Sequence, residues 1–153
     1  MSEVLFYHLE KQSLDDTLPT LIDRTLARGW RALIRAESAE RAQAMDNLLW
    51  TWSDESFLPH AQSGDGDPAK QPVLIAVDEG NPNRADVLFL IGGAMLPSWQ
   101  GEAVDFTRIV VLFDGRDDAA LSGARNAWIA ARQSGHDATY WKQSAGGRWE
   151  KQA

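Results

Sequence analysis

Five short apolar runs constrain this chain more than any other feature. They are Val4-Leu5-Phe6-Tyr7, Ala32-Leu33-Ile34, Val73-Leu74-Ile75-Ala76-Val77, Val87-Leu88-Phe89-Leu90-Ile91 and Ile109-Val110-Val111-Leu112-Phe113. The runs are rich in branched residues and do not alternate with polar ones. Continuous runs of that kind read as strands buried on both faces, the pattern of a parallel sheet. Helical patterns lie between them. Asp15 or Asp16 can cap a first helix carrying Leu18, Leu21, Ile22 and Leu26, with Gly29 ending it. Ser38 can cap a second, with Ala42, Met45, Leu48 and Leu49 on its apolar side. A third runs from about Asp117 to Gln133 and stops before Gly135. Strands alternating with helices imply an α/β sandwich with a mostly parallel sheet.

The length of 153 residues fits one domain, 1–153, able to bury about 70% of its unfolded surface without staples. Residues 51–71 form a long polar connection with Gly64-Asp65-Gly66-Asp67-Pro68 near its end. A last short strand, Thr139-Tyr140-Trp141, precedes a tail over 143–153 that holds Gly146-Gly147 and Trp149. The longest apolar stretch, Val87 to Met95, is interrupted by two glycines and falls short of the roughly 20 residues that span a bilayer. The N-terminus lacks the basic region of a signal peptide. The expected location is the cytoplasm.

Composition removes several chemistries. With no cysteine, the chain has no disulfide, thiolate zinc site or cysteine nucleophile. His8, His60 and His136 are scattered and lack helical i, i+4 spacing, so no metal site is expected. No G-x-S-x-G elbow is present. The turn after the first strand, His8 to Asp16, has no glycine and three acids, which is hostile to phosphates. Gly92-Gly93 follows a strand but without a Gly-Lys-Ser/Thr or GxGxxG pattern. Asp114-Gly115-Arg116-Asp117-Asp118 sits where a strand ends and a helix begins. It reads as a helix cap before it reads as a Mg²⁺ cluster. A small nucleotide-dependent enzyme using Gly92-Gly93 and Asp114 is the alternative from another class. A net charge of -7 disfavours direct binding to nucleic acid.

The third helix points elsewhere. At about 100° per residue, Ala120, Ala124, Ala127 and Ala131 fall on one narrow face, which lets the helix lie close on a sheet. Leu121, Arg125, Trp128 and Arg132 share a neighbouring face. Either Trp128 fills the core edge beneath solvated arginines, or the face receives a peptide carrying acidic and aromatic groups or a terminal carboxylate. Seven tryptophans against two tyrosines and five phenylalanines make the aromatic half of that choice prominent. A second concentration, Met45 to His60, holds Trp50, Trp52 and Phe57-Leu58-Pro59. It is either a satellite core cluster or an interface.

Asp46-Asn47-Leu48-Leu49-Trp50 followed by Glu55-Ser56-Phe57-Leu58-Pro59-His60 resembles the signature of the chi subunit of bacterial DNA polymerase III. The likeness extends through Phe6-Tyr7, Gly64-Asp65-Gly66, the strand ending at Phe113, Arg125, Trp128, Gly135 and Ala138-Thr139-Tyr140-Trp141-Lys142. The resemblance implies a three-layer α/β/α sandwich, Rossmann-like but lacking a phosphate-binding loop. It implies no catalytic site, no cofactor and no metal. It also implies a clamp-loader accessory subunit in DNA replication that binds the acidic C-terminal tail of single-stranded DNA-binding protein and touches DNA only indirectly. The psi subunit, with other clamp-loader subunits, would be a partner on another surface. By that resemblance Arg125 is the tail-binding arginine, Trp128 stands for a family tyrosine, and Leu121, Arg132 and Trp50 complete the peptide site. Phe57, Leu58, Pro59 and His60 belong to a partner surface. One departure matters: Leu121 stands where the family often has lysine. That predicts tail binding weaker by about 1 kcal/mol and less sensitive to salt, unless Arg132 or Arg116 compensates.

Overall fold

The computed structural model describes residues 2–10, 13–51, 61–62, 67, 71–96, 99–144 and 148–153. In chain order the elements are β1 (Glu3–Leu9), α1 (Leu14–Ala27), β2 (Ala32–Arg35), α2 (Ala39–Thr51), β3 (Ala61–Gln62), β4 (Val73–Ala76), β5 (Val87–Leu90), β6 (Arg108–Asp114), α3 (Asp118–Gln133), β7 (Asp137–Gln143) and β8 (Trp149–Lys151). The strands form one sheet in the order β3-β4-β2-β5-β6-β1-β7-β8. Every neighbouring pair is parallel except β7 and β8.

The five apolar runs become β1, β2, β4, β5 and β6. Their residues divide between two cores because successive side chains in a strand point to opposite faces. Val4, Phe6, Leu33, Leu74, Leu88, Ile109 and Val111 cluster with Ala124, Ala127 and Ala131 of α3. Ile34, Val73, Ile75, Val87, Phe89, Val110 and Leu112 cluster with Leu18 and Ile22 of α1 and with Ala42, Met45 and Leu49 of α2. Apolar runs without alternation therefore arise because both faces are covered. Burying a side chain such as Leu18 or Ile22, both at 0% exposure, contributes about 1.5–3 kcal/mol.

Helix ends follow the expected chemistry, with one correction. Ser13, not Asp15 or Asp16, caps α1: its backbone is extended and its Oγ accepts from the Asp16 amide at 3.2 Å. The two aspartates lie in the first turn, where they favour the helix dipole. Ser38 Oγ accepts from the Arg41 amide at 3.1 Å. Asp117 caps α3, accepting from the amides of Ala119 and Ala120 at 3.0 and 3.4 Å. Gly135 ends α3 with φ 85°. The Gly135 amide donates to Arg132 and the His136 amide to Ala131, which closes a Schellman motif only a residue tolerant of positive φ can supply.

Two segments are more structured than the sequence indicates. Within 51–71, Ala61–Gln62 pairs with β4. The last strand runs from Asp137 to Gln143, and within the segment read as a tail, Trp149–Lys151 folds back as β8. The Ser144 amide donates to the Arg148 carbonyl at 2.7 Å, closing the hairpin. Trp149 then meets Tyr7 edge-to-face at 4.9 Å, and Trp141 stacks on Tyr7 at 6.4 Å. Burying these rings against the sheet holds the hairpin, a gain that short-range patterning does not reveal.

Candidate functional site

Helix α3 lies close to the sheet because its contact face is alanine: Ala124, Ala127 and Ala131 are buried. That close approach brings Trp128, on the neighbouring face with Leu121, Arg125 and Arg132, against Phe6 of β1 and Tyr140 of β7. The indole of Trp128 is half-buried. It meets Phe6 at 5.6 Å and 68°, and Tyr140 at 6.2 Å and 79°, both edge-to-face. Such pairs each contribute about 0.5–1.5 kcal/mol beyond area burial. Leu121 packs, partly buried, against the same core. The Arg132 guanidinium lies 5.4 Å from the centroid of the Trp128 ring. Arg125 is exposed. The packing reading of Trp128 holds: the indole closes the core edge, with the Arg132 guanidinium over its outer side.

The structure adds residues to this face. Pairing of β1 between β6 and β7 sets Phe6 beside Val111 and Tyr140, and His8 beside Phe113 and Lys142. Tyr140 lies 5.9 Å from Phe113, and its hydroxyl shares a 2.5 Å hydrogen bond with His8 Nδ1. The other ring nitrogen, His8 Nε2, lies 3.1 Å from Glu10 Oε1, and Glu10 Oε2 lies 3.7 Å from Lys142 Nζ. Burial pushes the Tyr140 phenol above its ordinary range, and the positive charge of Arg125 opposes that shift. The neighbouring His8 ring, first, and the Lys142 charge hold the Glu10 carboxyl below its ordinary range. Tyr140 falls in the predicted last strand, and the observed strand, which begins at Asp137, sets it on the same side as Ala138. Its partner His8 is 132 residues away.

The predicted site residues fare differently. Leu121, Arg125, Trp128 and Arg132 come together. Trp50 sits in the last turn of α2, the helix that packs on the opposite sheet face, and its side chain lies outside the described residues. Phe57, Leu58, Pro59 and His60 also lie outside them. Of the tryptophans left to packing, Trp99 is buried, Trp141 and Trp149 flank Tyr7, and Trp30 has Arg28 and Arg108 at 5.0 and 5.4 Å. Trp52 lies outside the described residues.

The strand ends carry a cavity of about 540 Å³, the position where parallel α/β folds hold ligands. Gly92 and Gly93 line it with φ 65° and 96°. The close approach that a glycine allows a phosphate is already taken: a Cβ on Gly92 would lie 1.7 Å from a Glu37 carboxylate oxygen. Arg41 is paired with Glu37 at 3.1 Å and Arg116 with Asp114 at 3.3 Å. Carboxylates thus stand where a nucleotide needs donors. Among the described residues no group of three His, Asp or Glu side chains could hold a metal ion. His136 has a structural setting: its Nδ1 accepts from the Ser2 amide at 3.1 Å and its Nε2 faces the Trp99 carbonyl.

The geometry is that of an α/β domain whose glycine turn at the strand ends is filled by Glu37 and whose α3 face sets an arginine beside aromatic rings. The family described as DNA polymerase III chi subunit, HolC, has a model that matches residues 1–139. The chain is 30% identical over 143 residues to DNA polymerase III subunit chi of Escherichia coli strain K12, covering 88% of this chain and 94% of that protein. It is 30% identical over 91 residues to the probable DNA polymerase III subunit chi of Rickettsia prowazekii, covering 60% of this chain and 55% of that protein. It is 29% identical over 111 residues to the corresponding Haemophilus influenzae subunit, covering 70% and 72%. The chain belongs to the DNA polymerase III chi subunit family, whose members are accessory subunits in DNA replication.

Proposed function

We propose that this protein is a non-catalytic, cytoplasmic accessory subunit of the DNA polymerase III holoenzyme. It docks the clamp loader to the acidic C-terminal tail of single-stranded DNA-binding protein. The observation that carries this reading is the exposed Arg125 beside the Trp128–Tyr140 pair, on a chain of net charge -7. The terminal carboxylate of a tail ending in Pro-Phe pairs with Arg125, and its ring and proline pack on Trp128 and Leu121. A charge-assisted hydrogen bond of this kind contributes about 1.5–3 kcal/mol. Contact with DNA is then indirect, through the protein that coats it. No helix among the described residues is long and apolar enough to cross a membrane. Phe57, Leu58, Pro59 and His60 are assigned to a second partner surface, for the psi subunit.

Arg125→Ala is expected to weaken tail-peptide binding at least about tenfold while leaving the melting temperature unchanged, because Arg125 is exposed. Calorimetric titration with a tail peptide and with its truncated form tests this. Normal binding by Arg125→Ala refutes the site. A second reading, the small nucleotide-dependent enzyme, would use the cavity at the strand ends, against the carboxylates that stand there. A thermal shift with ATP and Mg²⁺ but none with the tail peptide would select it.

A further inference from the structure

We propose that Lys142 is the second cation of the peptide groove, and that Glu10 holds it in the free protein as an internal substitute for an acidic residue of the ligand. The inference rests on the docking reading above and identifies what replaces the cation missing at Leu121.

The two arginines that could compensate for Leu121 are placed elsewhere. Arg132 sits over the Trp128 ring, one turn of α3 on the side away from Arg125, and Arg116 lies beside Asp114 in the turn before α3. Lys142 is placed better. Side chains alternate along β7, so Ala138, Tyr140 and Lys142 share the face on which α3 lies. Lys142 stands about 7 Å beyond Tyr140 toward the C-terminal strand ends. Helix α3 runs the other way, from the end of β6 back to the start of β7. Arg125 therefore lies about 4.5 Å from Trp128 in that same direction. Starting from the Trp128–Tyr140 pair, both cations are displaced toward the same end, one on the helix and one on the strand. A peptide whose terminal ring rests on the aromatic pair would lead its preceding acidic residues between them.

Glu10 already fills part of that path. Its two oxygens reach His8 Nε2 at 3.1 Å and Lys142 Nζ at 3.7 Å. Glu10 and Lys142 are 39% and 43% exposed, so the pair is open to exchange. Its carboxyl is held below the usual range, first by the neighbouring His8 ring. A ligand carboxylate offers Lys142 the same charge, and Glu10 keeps its contact with His8 after the exchange. The cost is repulsion between two nearby carboxylates. Glu10 therefore lowers affinity for any acidic ligand and favours one that also satisfies Arg125 and the aromatic wall.

The test is calorimetric titration of a synthetic acidic peptide ending in Pro-Phe into the full-length protein at about 50 and 300 mM NaCl, across which surface charge contacts are screened. Wild type, Lys142→Ala, Glu10→Gln and Arg125→Ala are compared. At low salt Lys142→Ala binds about two- to fivefold more weakly, the range of an exposed ion pair, and Glu10→Gln binds more tightly by a similar factor. Both differences shrink at high salt. If Arg125→Ala loses binding while Lys142→Ala and Glu10→Gln match wild type, this inference is overturned and the docking reading stands. If wild type itself does not bind the peptide, both are overturned.

Discussion

Replacing Trp128 with alanine separates the structural and binding roles of the α3 face. The indole lies edge-on against Phe6, which is 0% exposed, and against Tyr140. Truncating a fully buried aromatic to alanine costs about 3–5 kcal/mol. Trp128 is partly rather than fully buried, so a cost below that range, roughly 2 kcal/mol, is expected, its two edge contacts included. For a domain of this size 1 kcal/mol moves the midpoint by about 2–4 °C, so Trp128→Ala should melt about 4–8 °C below wild type. Trp128→Phe keeps an aromatic ring at the site and should lose about half as much. Thermal unfolding followed by circular dichroism measures both variants. Tail-peptide titration at 15 °C, well below either midpoint, then reads the binding loss in folded protein. A midpoint for Trp128→Ala within about 1 °C of wild type would refute the packing argument. Normal peptide binding by that variant would refute the aromatic wall.

Two further outcomes test other parts of the fold. Ala131 is 0% exposed on the small-residue face of α3, so Ala131→Leu should destabilise by about 1–3 kcal/mol through overpacking. Ile129→Ala, at a position 53% exposed on the same helix, should stay within about 0.5 kcal/mol; equal urea midpoints for the two variants would contradict the close helix–sheet approach. The Tyr140 phenol is raised above 10.0, first by burial. The stability it contributes as a neutral group is fully present below that pH and is lost as pH rises through its folded pKa. Tyr140→Phe should therefore lose less stability than wild type between about pH 9 and 11. An alkaline loss as steep as that of wild type, in urea titrations at both values, would show that the buried phenol is not responsible.

Much of the fold was legible because its signals are local. Branched runs such as Ile109–Phe113 leave no polar side for solvent, so a sheet covered on both faces follows. The alanines of α3 recur at helical spacing, and Gly135 ends that helix by a conformation read within a few residues. The cap of α1 falls at Ser13, not at Asp15 or Asp16, because the helix already begins at Leu14 and places the two aspartates in its first turn. Strand β8 was missed because three residues carry little pattern. What holds it is Trp149 on Tyr7, a contact spanning nearly the whole chain. The candidate site was half legible. Helical spacing placed Leu121, Arg125, Trp128 and Arg132 on one face, whereas His8, Glu10, Tyr140 and Lys142 join it only through pairing of β1 with β7.

The sequence by itself determined the class of fold, the chemistry that a chain without cysteine and without a phosphate loop must forgo, and the helix face with its arginine and indole. These rest on periodicity and composition, which are properties of neighbours along the chain. The tertiary structure decided that Trp128 meets Phe6 and Tyr140 at the core edge, that Glu37 fills the glycine turn a phosphate would need, and that Lys142 stands in reach of Glu10. Each depends on which strands lie side by side and how closely a helix approaches them. Long-range packing sets those distances, and no local pattern encodes them.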